Sequence, residues 1–90
     1  MIEIQVTITN KAGMHARPAA LFVQKAASFS SKVKLVSHNK VADGKSILAV
    51  MGMGLTQNST LTITAEGTDE EICIGALRQL IESNFGESIV

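Results

Sequence analysis

At the head of the chain Ile2, Ile4, Val6 and Ile8 alternate with Glu3, Gln5, Thr7 and Thr9. A period of two in side-chain character is the pattern of a strand with one buried face and one wet face. It returns at Lys32–Ser37 and at Thr60–Glu66, where Leu61, Ile63 and Ala65 take the inward positions. Strands covered on both faces read as continuous apolar runs, so these segments predict an antiparallel sheet covered on one side. Segments with helical spacing supply the cover. Ala19, Phe22, Val23, Ala26 and Phe29 predict a helix from about Ala16 to Ser28. Pro18 falls in its first turn, where a missing N–H costs no hydrogen bond, although it biases Arg17 away from helical angles. Ser46 is a good N-cap for a short helix from Ile47 to about Met51, closed by Gly52 and Gly54.

Between these helices Ser37-His38-Asn39-Lys40 reads as a turn into a short strand at Val41 and Ala42, and Asp43-Gly44 breaks the chain. After Gly67 ends the last strand, Thr68 with Glu71 three residues on reads as a capping box. It opens a final helix whose apolar stripe is Ile72, Cys73, Ala76, Leu77, Leu80 and Ile81. The predicted order is β-α-β-β-α-β-α. The fold class is α+β, an open-faced β-sandwich with a four-stranded antiparallel sheet and three helices on one face. No repeat, linker or low-complexity tract divides the chain, so residues 1–90 read as one domain.

A chain of 90 residues, 46% of them hydrophobic, buries roughly 60–70% of its unfolded surface and needs no metal or disulfide staple. Cys73 is alone and suits a reducing compartment. The longest stretch without a polar side chain, Ile47–Leu55, has nine residues and two glycines, far short of a membrane span. Met1-Ile2-Glu3 enters the strand pattern where a secretory signal would need a basic region and an apolar block. The expectation is therefore a cytoplasmic chain without membrane insertion. Three Phe, no Trp and no Tyr give poor support for stacking on single-stranded nucleic acid, so no nucleic-acid partner is expected. The net charge is zero, yet it is unevenly distributed. Residues 1–60 carry +5, and residues 61–90, including Glu87, carry −5. Such a division fits either two solvated faces or a basic site that steers an anion or an acidic protein surface.

There is no P-loop, no dinucleotide glycine fingerprint and no Cys/His cluster with metal-ligand spacing. Neither metal nor cofactor is expected, and Gly52-Met53-Gly54 reads as helix termination. What remains is Gly13-Met14-His15-Ala16-Arg17-Pro18, where a loop meets a helix. His15 can be a surface or capping imidazole. It can equally face the unpaired backbone N–H groups of Ala16 and Arg17 with the positive end of the helix dipole behind them, a place that binds phosphate. That field favours a neutral ring, whose nitrogen can act as a nucleophile. Arg17 offers a planar guanidinium to phosphoryl oxygens. These parts suit a group that receives and passes on a phosphoryl unit, a reaction in which the protein mainly positions partners and stabilises charge.

The segment Gly13-Met14-His15-Ala16-Arg17-Pro18-Ala19 resembles the active-site segment of the HPr family, the histidine-containing phosphocarriers of the bacterial phosphoenolpyruvate-dependent sugar phosphotransferase system. The similarity spans essentially the whole chain. Lys45-Ser46-Ile47 with Val50-Met51 is similar to the family's regulatory serine segment, and Gly54-Leu55-Thr56-Gln57 and Ala65-Glu66-Gly67 to its later turns. The resemblance implies one HPr-like phosphocarrier domain, a stoichiometric intermediate rather than an enzyme. His15 would be phosphorylated at Nδ1 by phospho-enzyme I and would pass the group to enzyme IIA components, with Arg17 stabilising the phosphate. It further implies Ser46 as the acceptor of an ATP-dependent HPr kinase/phosphorylase, the seryl-phosphorylated form acting with a catabolite-control transcription factor. Capping alone also accounts for Ser46.

Ile47, Leu48 and Met51 are at core spacing, but a helix of about two turns cannot bury every face. Leu48 and Met51 are therefore expected partly exposed beside His15, as a docking surface. Lys25, Lys40 and Lys45 are its expected rim cations, or solvated lysines. The chain departs from the family at Ala12, often polar in relatives, and at Ala27, where some carry lysine, which thins the basic rim. His15 argues against regulatory paralogues that lack this histidine. The Lys45-Ser46-Ile47 context favours the sugar branch over the nitrogen-related one. A monomer is expected, since a carrier shows one surface to successive partners. Two other readings stay open: a regulatory protein in which only Ser46 matters, and an interaction module without phosphate chemistry.

Overall fold

A computed structural model describes residues 1–86 of the chain; Glu87, counted above in the acidic portion, lies outside the described residues. The elements are β1 (Ile2–Thr7), α1 (Ala16–Ala27), β2 (Lys32–Ser37), β3 (Lys40–Asp43), α2 (Ile47–Gly52), β4 (Thr60–Glu66) and α3 (Glu70–Glu82), followed by a short 3-10 turn at Asn84–Gly86. The order and the class are those the alternation predicts. All pairings are antiparallel, in the spatial order β1-β4-β2-β3.

Alternation explains the register. Ile4 faces Ile63 and Val6 faces Leu61 across β1 and β4, while Leu35 of β2 faces Ile63 on the other side. These inward side chains meet Phe22 and Ala26 of α1, Val50 of α2 and Leu77 and Ile81 of α3, all buried. Full burial of such aliphatic and aromatic groups contributes about 1.5–3 kcal/mol each. The opposite face carries Glu3, Gln5, Thr62, Thr64 and Lys34, and among the described residues no helix covers it. Between β2 and β3 the two-residue turn His38-Asn39 has φ of 51° and 63°, the left-handed geometry that matches the twist of a hairpin. It extends β3 by one residue at each end of the predicted Val41-Ala42.

Two predictions for α3 need correction. The N-cap is Asp69, and Thr68 with Glu71 forms no capping box. It is Glu70 whose Oε1 accepts the Gly67 N–H at 3.2 Å, while its Oε2 pairs with the Met1 ammonium at 3.0 Å. That ammonium, and then the Gly67 N–H, hold the Glu70 carboxyl below its ordinary range. Asp69 makes no side-chain cap to its own helix. Its carboxylate accepts the N–H groups of Ser30 at 2.8 Å and Ser31 at 3.0 Å, and the Ser31 hydroxyl. The hydroxyl first and the Ser30 N–H next lower the pKa of Asp69. The helix phase differs too. Ile74 is buried in place of Ile72, which is 69% exposed, and Ala76 and Leu80 are half-buried. Three consecutive side chains, Ile72, Cys73 and Ile74, cannot all face inward on a helix, and Cys73 and Ile74 are the two that do. Beyond α3, Asn84, Phe85 and Gly86 all have positive φ, a turn that places Phe85 in the core. Burial also pushes the Cys73 thiol up.

Candidate functional site

The loop before α1 is closed on itself. Gly13 N–H donates to Asn10 O at 3.1 Å, and Asn10 Nδ2 donates to Gly13 O at 2.7 Å. Gly13 has φ +67°, and a Cβ there would overlap Leu55 O and stand 2.8 Å from Thr56 Cα. Only glycine fits this approach. The next residue, Met14, is buried, and its N–H donates to Leu55 O at 3.0 Å. The loop is thereby fastened to the segment that leads from α2 to β4. The sequence marks Gly13 as part of a motif but not its contact with Leu55 and Thr56, which lie some forty positions along the chain, nor the local loop closure made by the buried Asn10.

His15 follows as the N-cap of α1, with extended angles (φ −78°, ψ −173°) and no side-chain cap hydrogen bond. The ring is half-buried, and its Nε2 is enclosed. The first α-helical hydrogen bond of α1 runs from Ala19 N to His15 O at 3.0 Å. Ahead of it stand Ala16 and Arg17, both exposed, whose N–H groups have no partner within the helix. Pro18, the third residue, has no N–H and packs fully buried; its ring does not prevent Arg17 from joining the helix. The first turn holds no acidic residue. Two backbone donors, a guanidinium and an imidazole thus meet at one positive helix end, the arrangement that suits an anion.

The other predicted residues lie on or around α2. Ser46 caps it, its Oγ accepting the Ala49 N–H at 3.3 Å. Leu48 is 81% exposed, and Ile47 and Met51 are each 40% exposed, so this short helix does present apolar side chains to solvent. α2 runs opposite to α1. Its C-terminal side leads to Leu55, against the His15 loop, whereas Lys45 at its start donates from Nζ to Phe29 O at 2.8 Å, beyond the far end of α1. Ser46 and Lys45 therefore lie at the end of α2 away from Leu55 and the His15 loop. Lys25 is exposed in the last turn of α1, about 15 Å along the axis. Lys40 is exposed at the start of β3. His15, Ala16 and Arg17 thus stand together at the start of α1, whereas Ile47 and Leu48 lie in the first turn of α2 beside Ser46 and the three lysines are spread over other elements.

Among the described residues, no group of three or more His, Cys, Asp or Glu side chains could hold a metal ion, and no helix is long and apolar enough to cross a membrane.

Residues 2–83 match the family described as "PTS HPr component phosphorylation site". Phosphocarrier protein HPr of Mycoplasma pneumoniae is 42% identical over 93% of this chain and 97% of its own length. That of Treponema pallidum is 41% identical over 97% of this chain and 99% of its own. The crystal structure of HPr-C-His from Thermoanaerobacter tengcongensis, 49% identical, superposes with a TM-score of 0.95 over 99% of this chain and all of that one. The fold, the histidine at an open helix end and these relatives converge, and the chain belongs to the HPr phosphocarrier family of the phosphotransferase system.

Proposed function

We propose that this chain is a stoichiometric phosphoryl carrier that accepts the group on Nδ1 of His15 from phospho-enzyme I and hands it to enzyme IIA components for sugar uptake. The observation that carries this reading is the placement of His15 at the N-cap of α1, beside the backbone N–H groups of Ala16 and Arg17 that start the helix. One ring nitrogen, Nε2, is enclosed, which supports Nδ1 as the reacting nitrogen. In the transfer, the Nδ1 lone pair forms the new P–N bond as the donor's P–N bond breaks. The donor imidazole keeps that electron pair, and the reverse exchange delivers the group onward. The N–H groups of Ala16 and Arg17 and the Arg17 guanidinium stabilise the equatorial oxygens, whose charge is what such a reaction must balance. Ile47, Leu48 and Met51 form the apolar docking surface for successive partners, with Lys25, Lys40 and Lys45 outside it. One surface serving several partners in turn suits a cytoplasmic monomer.

Ser46 is the regulatory acceptor for the kinase/phosphorylase, and the seryl-phosphorylated chain is the form that meets a catabolite-control transcription factor. The added charge at the start of α2 opposes the approach of an acidic partner.

Incubation with phosphoenolpyruvate and a bacterial enzyme I tests the carrier. The expected result is a mass gain of about 80 Da that is acid-labile and absent from His15→Ala. Failure to label beside a control HPr that does label overturns the reading. For Ser46, the expected result is an acid-stable label from ATP and the kinase that persists in His15→Ala and vanishes in Ser46→Ala. An unlabelled chain with active kinase leaves Ser46 as a cap only.

A further inference from the structure

Among the described residues, β3 is an edge of the sheet, paired with β2 alone. Gly44 N–H donates to Val33 O at 2.8 Å, so Gly44 turns its main chain toward β2. Antiparallel alternation then turns Ala42 and Lys40 the same way and leaves Val41 and Asp43 facing outward. The Asp43 carbonyl is taken by Ser46 N–H. The groups left along the free edge are the N–H and C=O of Val41 and the N–H of Asp43. Beside them Val41 is 68% exposed, and its cross-strand neighbour Val36 is 36% exposed on the same uncovered face.

Two hollows flank this edge. One of about 370 Å³ is bordered by Lys32, Lys34, Asp43 and Lys45. The other, about 380 Å³, opens between Lys40 and Ala42 of the strand and Ala49, Gly52 and Met53 of the α2 segment. A strand laid along β3 would send alternate side chains toward opposite faces, which is how added strands gain specificity. Four lysines against one aspartate make this edge basic. Among the described residues, no carboxylate lies within ion-pair distance of Lys32, Lys34 or Lys40.

We propose that the free edge of β3 is a second docking site, distinct from the His15 end, that binds an extended acidic and apolar segment of a partner protein by strand addition. Charge complementarity selects this occupant. A second copy of the chain pairing edge to edge would set one lysine-rich edge against another, and like charges oppose such pairing.

The test is a titration of the ¹⁵N-labelled chain with a six-residue peptide alternating glutamate and valine, against the same peptide with lysine for glutamate. The acidic peptide is expected to shift the Val41 and Asp43 amides saturably below about 1 mM and to slow their exchange with solvent. Val41→Pro removes an outward donor at an edge position that tolerates proline and is expected to weaken binding about tenfold. Should that variant fail to fold, the pair Lys34→Glu and Lys40→Glu replaces it, with preference expected to reverse toward the lysine peptide. The proposal is overturned by equal binding of both peptides, by shifts confined to α1 and α2, or by no saturable shift. Shifts of β3 that follow protein concentration without peptide would assign the edge to a second copy instead.

Discussion

The two ends of the α1–α2 pair are built from the same materials and finished differently. At the Ser46 end several main-chain groups are taken by side chains. Ser46 takes Ala49 N–H, Asp43 Oδ1 takes Lys45 N–H, Asp69 takes Ser30 and Ser31, and Lys45 covers Phe29 O. At the His15 end the N-cap makes no such bond, and the order comes from the loop behind it, pinned by Asn10 and Leu55. Closing a helix end stabilises it; leaving donors open keeps them for a ligand. The comparison separates residues that hold the fold from those that hold a phosphoryl group, and substitutions at each end should divide accordingly.

The largest effect is expected at Gly13, where both functions meet. Gly13→Val places a branched side chain at φ +67° against Leu55 and Thr56. Backbone strain and overpacking together predict a loss of about 2–4 kcal/mol in urea unfolding. In the fraction that folds, displacement of His15 by about 1 Å predicts transfer slowed about 10²-fold. Rapid-quench labelling from phospho-enzyme I would measure it, and unchanged transfer would mean that the loop does not position His15.

At the closed end Asp69→Asn is expected to leave transfer untouched and to change stability in a pH-dependent way. The Asp69 pKa is lowered in the folded chain. Its contribution is therefore present above the ordinary aspartate range and lost as pH falls through the lower folded value. The variant should unfold more easily at neutral pH and converge with the parent in strong acid, as urea midpoints across pH would show. Parallel curves would assign the acid sensitivity elsewhere. Ser46→Ala removes one cap bond and predicts about 1 kcal/mol of destabilisation, whereas Ser46→Asp keeps the cap and should cost little.

The division between the ends was only partly legible in the sequence. Alternation in β1 and β4 and the stripe of α1 depend on near neighbours and on a single covered face, so they read directly. His15, Arg17 and Ser46 stand at helix starts that local spacing reveals. Asp69 was invisible as a clamp because its partners, Ser30 and Ser31, are nearly forty positions away. Lys45 reads as a surface charge for the same reason, although Phe29 O holds its ammonium. The reversed direction of α2, which separates Ser46 from His15, follows from Met14 meeting Leu55, a pairing with no local signature.

The smallest expected effect bears on the comparison most directly. His15 has the extended angles of an N-cap but no side-chain cap hydrogen bond, so His15→Ser should add one. A serine hydroxyl at this position can accept the Arg17 N–H, since Pro18 offers none. The expectation is a gain of about 0.5 kcal/mol in urea unfolding together with complete loss of acid-labile label, stability rising as function disappears. A variant of equal or lower stability would show that the imidazole already holds the helix end by its own contacts, and the open end would then be no less finished than the closed one.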